Sequence, residues 1–281
     1  MALSSIQLTA GMRQNLLSLQ NTASLMERTQ TRLSTGLRVQ SALDDPINYF
    51  AAKGHRDRAA DLAYRKEEMN EGVQLLKATD AGITGLLDLI ASAKSIAQSA
   101  RSGEGTADIE ALETQFNAIR SQIDDLADDS GYKGVNLLGG DDQTLSVFFD
   151  EDGTHSITLT GIDGSTGTDG LNITELSTDD WQTDGIADSS AIDDSIAELD
   201  AARDTLRSAA KTFSNNMSTI TIRQDFTANM INTLQDGAAK LTEADLNEEG
   251  ANMLMLQTRQ ALGTTSLSLA SQAAQSVMRL F

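Results

Sequence analysis

Residues 192–241 read IDDSIAELDAARDTLRSAAKTFSNNMSTITIRQDFTANMINTLQDGAAKL, and this stretch decides the fold. Apolar residues recur in it at alternating intervals of four and three, which keeps one face of a helix apolar. The stripe consists of Ile192, Ile196, Leu199, Arg203, Leu206, Ala210, Phe213, Met217, Ile220, Gln224, Thr227, Ile231, Leu234, Ala238 and Leu241. A seven-residue repeat sustained for about 50 residues, or ~75 Å at ~1.5 Å per residue, predicts a long helix in a left-handed coiled coil.

The same spacing recurs toward both ends of the chain. Runs over residues 62–97 and 109–126 precede the quoted stretch, and another over 253–281 follows it. Near the start, the stripe is made of Met12, Leu16, Leu19, Ala23, Met26, Gln30, Leu33 and Leu37. We therefore predict a mainly α fold of long antiparallel coiled-coil helices from both termini. The two ends are expected to pair, because such a stripe is buried only against a partner helix.

A break in helical structure is expected between the first two runs. Asp45 followed by Pro46 has the pattern of an N-cap residue with proline at the first helical position. The second helix should begin there, after a non-helical connector over residues 34–46. Gly103 and Gly105 should end that helix.

The middle of the chain loses the helical period. The alternating stretches 144–149 and 156–160 flank Asp150, Glu151, Asp152 and Gly153, which predicts a β-hairpin. This insert carries no position of the apolar stripes, so we expect the helices to fold without it. Sixteen acidic residues and no Lys or Arg lie between Lys133 and Arg203, out of a net charge of −20, which predicts a strongly solvated surface.

Composition argues against several classes of function. The acidic balance makes nucleic acid an unfavourable partner, because phosphate binding requires a basic face. No stretch is long and apolar enough to predict membrane insertion, and the first residues lack the pattern of a cleaved secretory signal. The absence of cysteine excludes disulfides and thiolate chemistry.

No catalytic, cofactor-binding or metal site is predicted. His55 and His155 have no partner at metal-ligand spacing. The adjacent acids Asp44 and Asp45 suit helix capping, and the acids of the predicted hairpin turn lack the spacing of a calcium loop. We expect neither an enzyme nor a cofactor.

Two separate motifs resemble the bacterial flagellins. Residues 33–45, LSTGLRVQSALDD, are similar to the N-terminal motif of that family, and residues 241–253, LTEADLNEEGANM, resemble its C-terminal Ala-Asp segment. The match continues through QTRQALG at 257–263 and QSVMRLF at 275–281. Pro46 follows the two aspartates where many flagellins have Ala-Ala-Gly, and the insert is short, which indicates a divergent branch.

The resemblance implies a domain organisation. Residues 1–40 and 245–281 would form the terminal coiled coil of an inner tube, with 34–46 as the connector. Residues 47–138 and 184–244 would form a helical shell, and 139–183 a small acidic, Gly-rich β insert facing outward. The assembly interface carried over from the family motifs consists of Leu16, Leu19, Met26, Leu33, Gly36, Leu37, Arg38, Asp44, Asp45, Asp245, Asn252, Gln257, Leu267, Ala270, Ala274, Val277 and Phe281.

The resemblance also implies a function and partners. A flagellin is a structural subunit that assembles with itself into a helical homopolymer, the extracellular flagellar filament used for swimming. Its other partners would be a flagellar export chaperone, the type III export apparatus, the filament cap and the hook–filament junction proteins.

Three alternatives differ in what the sequence should contain. A hook–filament junction protein shares both terminal motifs but carries a weaker match around residues 34–45 and a different insert. A cytosolic signalling coiled coil, such as a chemoreceptor hairpin, has a compact helical tip where this chain has a glycine-rich insert. An enzyme requires a site, and none is predicted.

Overall fold

The computed structural model describes residues 10–103 and 105–278. They form five helices, α1 (Ala10–Thr35), α2 (Pro46–Ala100), α3 (Thr106–Asp129), α4 (Ser189–Thr242) and α5 (Leu246–Met278), and four strands, β1 (Thr144–Phe148), β2 (Ser156–Thr160), β3 (Gln182–Thr183) and β4 (Ile186–Ala187). The strands make two separate antiparallel pairs, β1 with β2 and β3 with β4. The predicted class, mainly α with a small β insert, is confirmed.

The chain divides into two compact units. Residues up to Asp57 and from Thr233 onward form the first, here called the terminal unit, and Arg58–Asn232 form the second, called the central unit. Each unit contains one part of α2 and one part of α4.

In α4, the first apolar position of every seven-residue repeat is buried. Ile192, Leu199, Leu206, Phe213, Ile220, Thr227 and Leu234, spaced by seven residues, are all buried. The second position differs from the prediction: Ser195, Ala202 and Ala209 are buried, whereas Ile196, Arg203 and Ala210 are only half-buried. Residues three and four apart share one helix face. The element packed against α4 decides which of these neighbouring positions is covered. In α4 the smaller side chains, Ser195, Ala202 and Ala209, lie at the contact.

In α1, too, some of the buried positions differ from the predicted apolar stripe. The expected positions Leu19, Met26 and Leu33 are half-buried, as predicted, but Leu16, Ala23 and Gln30 are exposed. Thr22 and Thr29 are buried in their place. A threonine at the contact keeps its hydroxyl bonded within its own helix, as Thr22 does by donating to the carbonyl of Ser18 at 2.8 Å.

Three helices and the insert share one core in the central unit. The buried residues of this core include Met69, Leu76, Ile83 and Ile90 of α2, Ile109, Phe116 and Ile123 of α3, and Ile192, Leu199, Leu206, Phe213 and Ile220 of α4. The predicted hairpin is confirmed, with Thr144 opposite Thr160 and Phe148 opposite Ser156.

The insert contributes to this core, which argues against the expectation that the helices fold without it. Val147 and Leu159 are buried in the same cluster as the helices, whereas Ser146 and Thr158 on the opposite hairpin face are exposed. A β-carbon at Gly72 of α2 would lie 2.8 Å from Cγ2 of Val147, so the hairpin rests directly on the helix backbone. Strand alternation supplies one apolar face, and that face needs no heptad position to be buried.

The second half of the insert is tied to α3 by a row of polar side chains. Glu113 accepts hydrogen bonds from the backbone N–H groups of Trp181 at 2.7 Å and Asp179 at 3.2 Å. Asn117 exchanges hydrogen bonds with the backbone of Leu176, Arg120 donates to the carbonyl of Ile173, and Asp124 accepts from the backbone and hydroxyl of Thr166. These bonds satisfy backbone groups that have no ladder partner.

The terminal unit contains the pairing expected for the chain ends, because α1 packs along α5. The two helices approach closely at Gly263, where a β-carbon would lie 2.5 Å from Cδ2 of Leu19. Asn15 of α1 donates a hydrogen bond to the hydroxyl of Ser266 at 3.5 Å.

Candidate functional site

The two terminal motifs meet in the terminal unit. Arg38 and Val39 donate backbone hydrogen bonds to the carbonyl of Thr242 at 2.8 and 3.2 Å, and Ala244 donates to the carbonyl of Gly36 at 2.9 Å. Leu37 and Glu243 form an isolated antiparallel bridge. We call this junction of residues 36–39 with 241–244 the clasp. It brings together segments that lie about 200 residues apart in sequence.

Glycine is required where the connector begins. Gly36 has φ +71°, in the left-handed region that favours glycine, and its N–H donates to the carbonyl of Arg32 at 2.8 Å. Helix α1 therefore ends at Thr35, later than the Ser34 boundary expected from the sequence, and the non-helical connector runs from Gly36 to Asp45. Helix α2 ends at Ala100, slightly before Gly103, where the sequence predicted its end.

The clasp is closed by side chains as well. Val39 is 4% exposed and Thr242 is 2% exposed. Arg56 of α2 donates to the hydroxyl of Thr242 at 2.9 Å, and that hydroxyl donates to the carbonyl of Ala238. The guanidinium of Arg38 donates to the carbonyl of Leu241 at 3.4 Å.

Of three predicted aspartates, two cap helices and the third, Asp44, holds the connector instead of a helix start. Asp45 accepts from the backbone of Asn48 at 3.1 Å and caps α2, as expected, and Asp245 accepts from the backbone of Asn247 at 2.9 Å and caps α5. Asp44 accepts from the backbone N–H groups of Ser41 and Gln40 within the connector. Hydrogen bonds from Ser41 lower the pKa of Asp44, and those from Asn48 lower the pKa of Asp45.

An ion pair joins the two terminal helices. Arg32 lies 2.7 Å from Glu249, whose side chain is 10% exposed. The sequence interpretation missed both residues. Arg32 flanks the apolar stripe, and Glu249 lies in an acidic stretch that we assigned to the family motif without a role.

The other predicted interface residues occupy varied positions. Leu19, Met26, Leu33, Asn252, Leu267 and Ala270 are half-buried, whereas Leu16 and Gln257 are exposed. Ala274 and Val277 lie in α5, but the structure does not describe their side chains, and Phe281 lies outside the described residues.

Exposed apolar side chains concentrate in the terminal unit. Among the described residues, eleven of the fifteen exposed large hydrophobic side chains belong to it. They are Leu16, Leu17, Leu25, Leu43, Ile47, Phe50, Leu246, Leu254, Met255, Leu262 and Leu269. Most lie off the heptad stripe, and apolar residues at those positions were the signal that the sequence reading overlooked. Surfaces of this kind mark sites of interaction with other proteins.

The net charge of the chain, unlike the exposed apolar side chains, lies outside the terminal unit. Residues 1–57 and 233–281 together carry nine Lys and Arg and nine Asp and Glu, so the entire net charge of −20 lies in residues 58–232. The terminal unit therefore combines exposed apolar side chains with equal numbers of positive and negative charges.

The described part of the chain was also compared with the requirements of a metal site and of a membrane-spanning helix. Within residues 10–103 and 105–278, no three His, Asp or Glu side chains are grouped so as to hold a metal ion. No helix among these residues has the length and apolar character needed to cross a membrane.

Comparisons with known proteins point to one family. Residues 7–143 match the family model described as the bacterial flagellin N-terminal helical region. The chain is similar to flagellin FljK of Caulobacter vibrioides, with 28% identity over 100% of both chains, and to a flagellin of Brucella melitensis, with 26% identity over 95% of both. A crystal structure of Bacillus cereus flagellin superimposes with a TM-score of 0.45 at 16% identity, covering 57% of this chain and 88% of that chain, which is too weak to establish a shared fold.

Proposed function

This chain belongs to the bacterial flagellin family, and on that premise we propose that its terminal unit drives its assembly into the flagellar filament. Flagellins are structural proteins whose subunits associate with one another into an extracellular filament. The chain is such a filament subunit, and full-length similarity to filament flagellins does not favour the hook–filament junction alternative. We propose that it has no enzymatic activity of its own.

One observation carries the proposal: the terminal unit combines exposed apolar side chains with no net charge. Burying apolar surface stabilises a contact by about 25 cal/mol per Å², and terminal units without net charge approach each other without mutual repulsion. The interface proposed here includes the predicted residues from Leu16 to Phe281 given above, together with the exposed apolar residues of the terminal unit.

The proposed arrangement follows the domains expected from the sequence. Residues 1–40 and 245–281 line the inner tube, 47–138 and 184–244 form the surrounding shell, and 139–183 face outward. The charge distribution supports this order, because the acidic residues 134–202 are best accommodated where solvent surrounds them.

The exposed apolar surface of the terminal unit is also consistent with an export chaperone and an export route. Before assembly, the exposed leucines of α1 and α5 are free to aggregate, so the subunit needs a partner that covers them. We propose that a flagellar export chaperone does so, that the type III export apparatus delivers the chain, and that the filament cap and the junction proteins contact the same ends.

Deletion of residues 267–281 tests the proposal. The truncated protein should fail to extend filament seeds in sedimentation and electron microscopy, while circular dichroism reports an intact central unit. A truncation of equal length is not available inside the insert, because buried residues of the insert belong to the core. The matched control therefore replaces the exposed residues Gln272, Gln275 and Ser276 by alanine. Normal filaments from the truncated chain would overturn the role of this end, and a full-length chain that never polymerises would overturn the function itself.

A further inference from the structure

A groove between α1 and the connector concentrates arginine. It has a volume of about 300 Å³ and is lined by Ser24, Glu27, Arg28, Thr31, Arg32, Arg38, Gln40 and Asp44. We call it the arginine groove. Its three guanidinium groups outnumber its two carboxylates, although the chain as a whole has a net charge of −20. Such a groove favours an anionic ligand.

One of these arginines has no partner among the residues that the structure describes. Arg32 pairs with Glu249, and Arg38 donates to the carbonyl of Leu241. Arg28 is exposed and makes no ion pair or hydrogen bond with any residue that the structure describes. The carboxylate of Asp44 accepts hydrogen bonds from Gln40 and Ser41 and makes no ion pair with Arg28.

A surface of opposite charge lies where α4 ends and α5 begins. Glu243 and Glu248 are exposed there, on either side of Leu246, which is 53% exposed. Neither side-chain carboxylate has a partner among the described residues. We call these three residues the acidic corner.

The two surfaces also match in apolar character. Leu25 and Leu43, each close in sequence to a groove residue, are 38% and 96% exposed. Exposed leucines thus lie beside the groove residues in the sequence, as Leu246 lies between the two glutamates of the corner. A contact that buries apolar side chains inside a charged rim has the usual anatomy of a protein interface.

We propose that the arginine groove of one subunit binds the acidic corner of a second copy, with Arg28 pairing with Glu243 and Glu248 while Leu246 packs against Leu25 and Leu43. The contact rests on the proposed function, since it forms only between assembled copies. It joins two different surfaces, and a head-to-tail contact of this type repeats along a helical polymer. Residues 1–57 carry six bases and four acids and residues 233–281 carry three bases and five acids, so the end segments are themselves oppositely charged.

Charge reversal provides the test. The groove variant is Arg28→Glu, the corner variant is Glu243→Lys with Glu248→Lys, and the control is Arg13→Glu, an exposed arginine on the same helix outside the groove. Each purified full-length protein is added to filament seeds, and the concentration left in the supernatant is measured. We expect that concentration to rise at least tenfold for the groove and corner variants, because like charges then face each other, and less than threefold for the control.

Mixing the two variants distinguishes a contact between copies from one within a chain. Alternating groove-variant and corner-variant subunits place opposite charges at every contact, so an equimolar mixture should polymerise almost as well as wild type. Correctly folded variants that polymerise like wild type, or a mixture as defective as its components, would overturn the contact while leaving the proposed function intact.

Two further results are decisive. Rescue of Arg28→Glu by Lys substitutions at Asp141 and Asp142 of the insert, with no rescue by the corner variant, would show that the groove binds the insert and not the corner. Failure of the wild-type chain to polymerise would overturn the proposed function and the contact with it.

Discussion

Arg32 of α1 and Glu249 of α5 form a 2.7 Å ion pair across the terminal unit, and the Glu249 side chain is nearly covered, at 10% exposure. Removing one partner of such a pair costs more than breaking an exposed pair, because the covered charge is left without a partner.

Loss of this pair should loosen the terminal helices. Arg32→Ala leaves a carboxylate covered without a partner, and we expect a cost of about 1–2 kcal/mol, between the values typical of exposed and buried pairs. Hydrogen exchange of α1 and α5 in assembled filaments should show roughly tenfold lower protection. Arg13→Ala, at an exposed position of α1, serves as the control, and equal protection in both variants would contradict a structural role for the pair.

Two glycines of α5 should respond differently to alanine. A β-carbon at Gly250 meets nothing within 4 Å, whereas one at Gly263 lies 2.5 Å from Cδ2 of Leu19. Gly250→Ala should stabilise filaments against thermal dissociation through a helix-propensity gain of about 1 kcal/mol, and Gly263→Ala should lose that gain to the clash. Adding Leu19→Ala to Gly263→Ala should relieve the clash at Gly263. Equal shifts of the thermal dissociation midpoint for Gly250→Ala and Gly263→Ala would contradict the close approach of Gly263 to Leu19.

The single tryptophan reports on the core of the central unit. Trp181 is fully buried, lies edge-on to Phe116 at 5.0 Å, and donates its indole N–H to the hydroxyl of Ser195 at 3.0 Å. Ser195→Ala leaves that donor unsatisfied and should lower the free energy of unfolding by about 1–2 kcal/mol in urea titrations followed by Trp181 fluorescence. Ser214→Ala, at an exposed position of α4, should change it little.

The hairpin turn should weaken in acid. Asp150 accepts from Thr154 and His155, and these hydrogen bonds, the Thr154 hydroxyl first, hold its pKa well below the usual value. A carboxyl whose pKa is lowered in the folded state stabilises it above the unfolded pKa of about 3.9, and this contribution is lost as pH falls through the lower folded pKa. NMR of the Thr154 and His155 amides should therefore show the turn opening below about pH 4. Asp150→Asn should remove this dependence and Asp152→Asn should retain it.

Removal of the insert should unfold the central unit. Replacing residues 141–178 with a Gly-Ser linker deletes the buried side chains of Val147, Phe149, Leu159, Leu171, Ile173 and Leu176. Each contributes about 1.5–3 kcal/mol, which together exceeds the stability of a typical domain. Circular dichroism should show loss of cooperative unfolding. Ser146→Ala with Thr158→Ala, on the exposed hairpin face, should leave it intact, and a cooperative transition in the linker variant would restore the view that the insert is dispensable.

Local patterns in the sequence determined most of the secondary structure. The seven-residue spacing from Ile192 to Leu234 specified α4, the Asp45–Pro46 pair specified the start of α2, and the acidic turn between two alternating stretches specified the hairpin. Such signals can be read from sequence because period, capping and turn chemistry each act within a few residues.

Only the tertiary structure decided which side of each stripe is covered and what lies against it. Thr22 is buried and Ala23 is exposed, although both lie beside the same apolar face, and the insert closes the core although it has no heptad. Arg32 and Glu249 are 217 residues apart, and no local pattern pairs them. The physical reason is that burial depends on the surface of the partner, and in this chain the partners come from distant parts of the sequence.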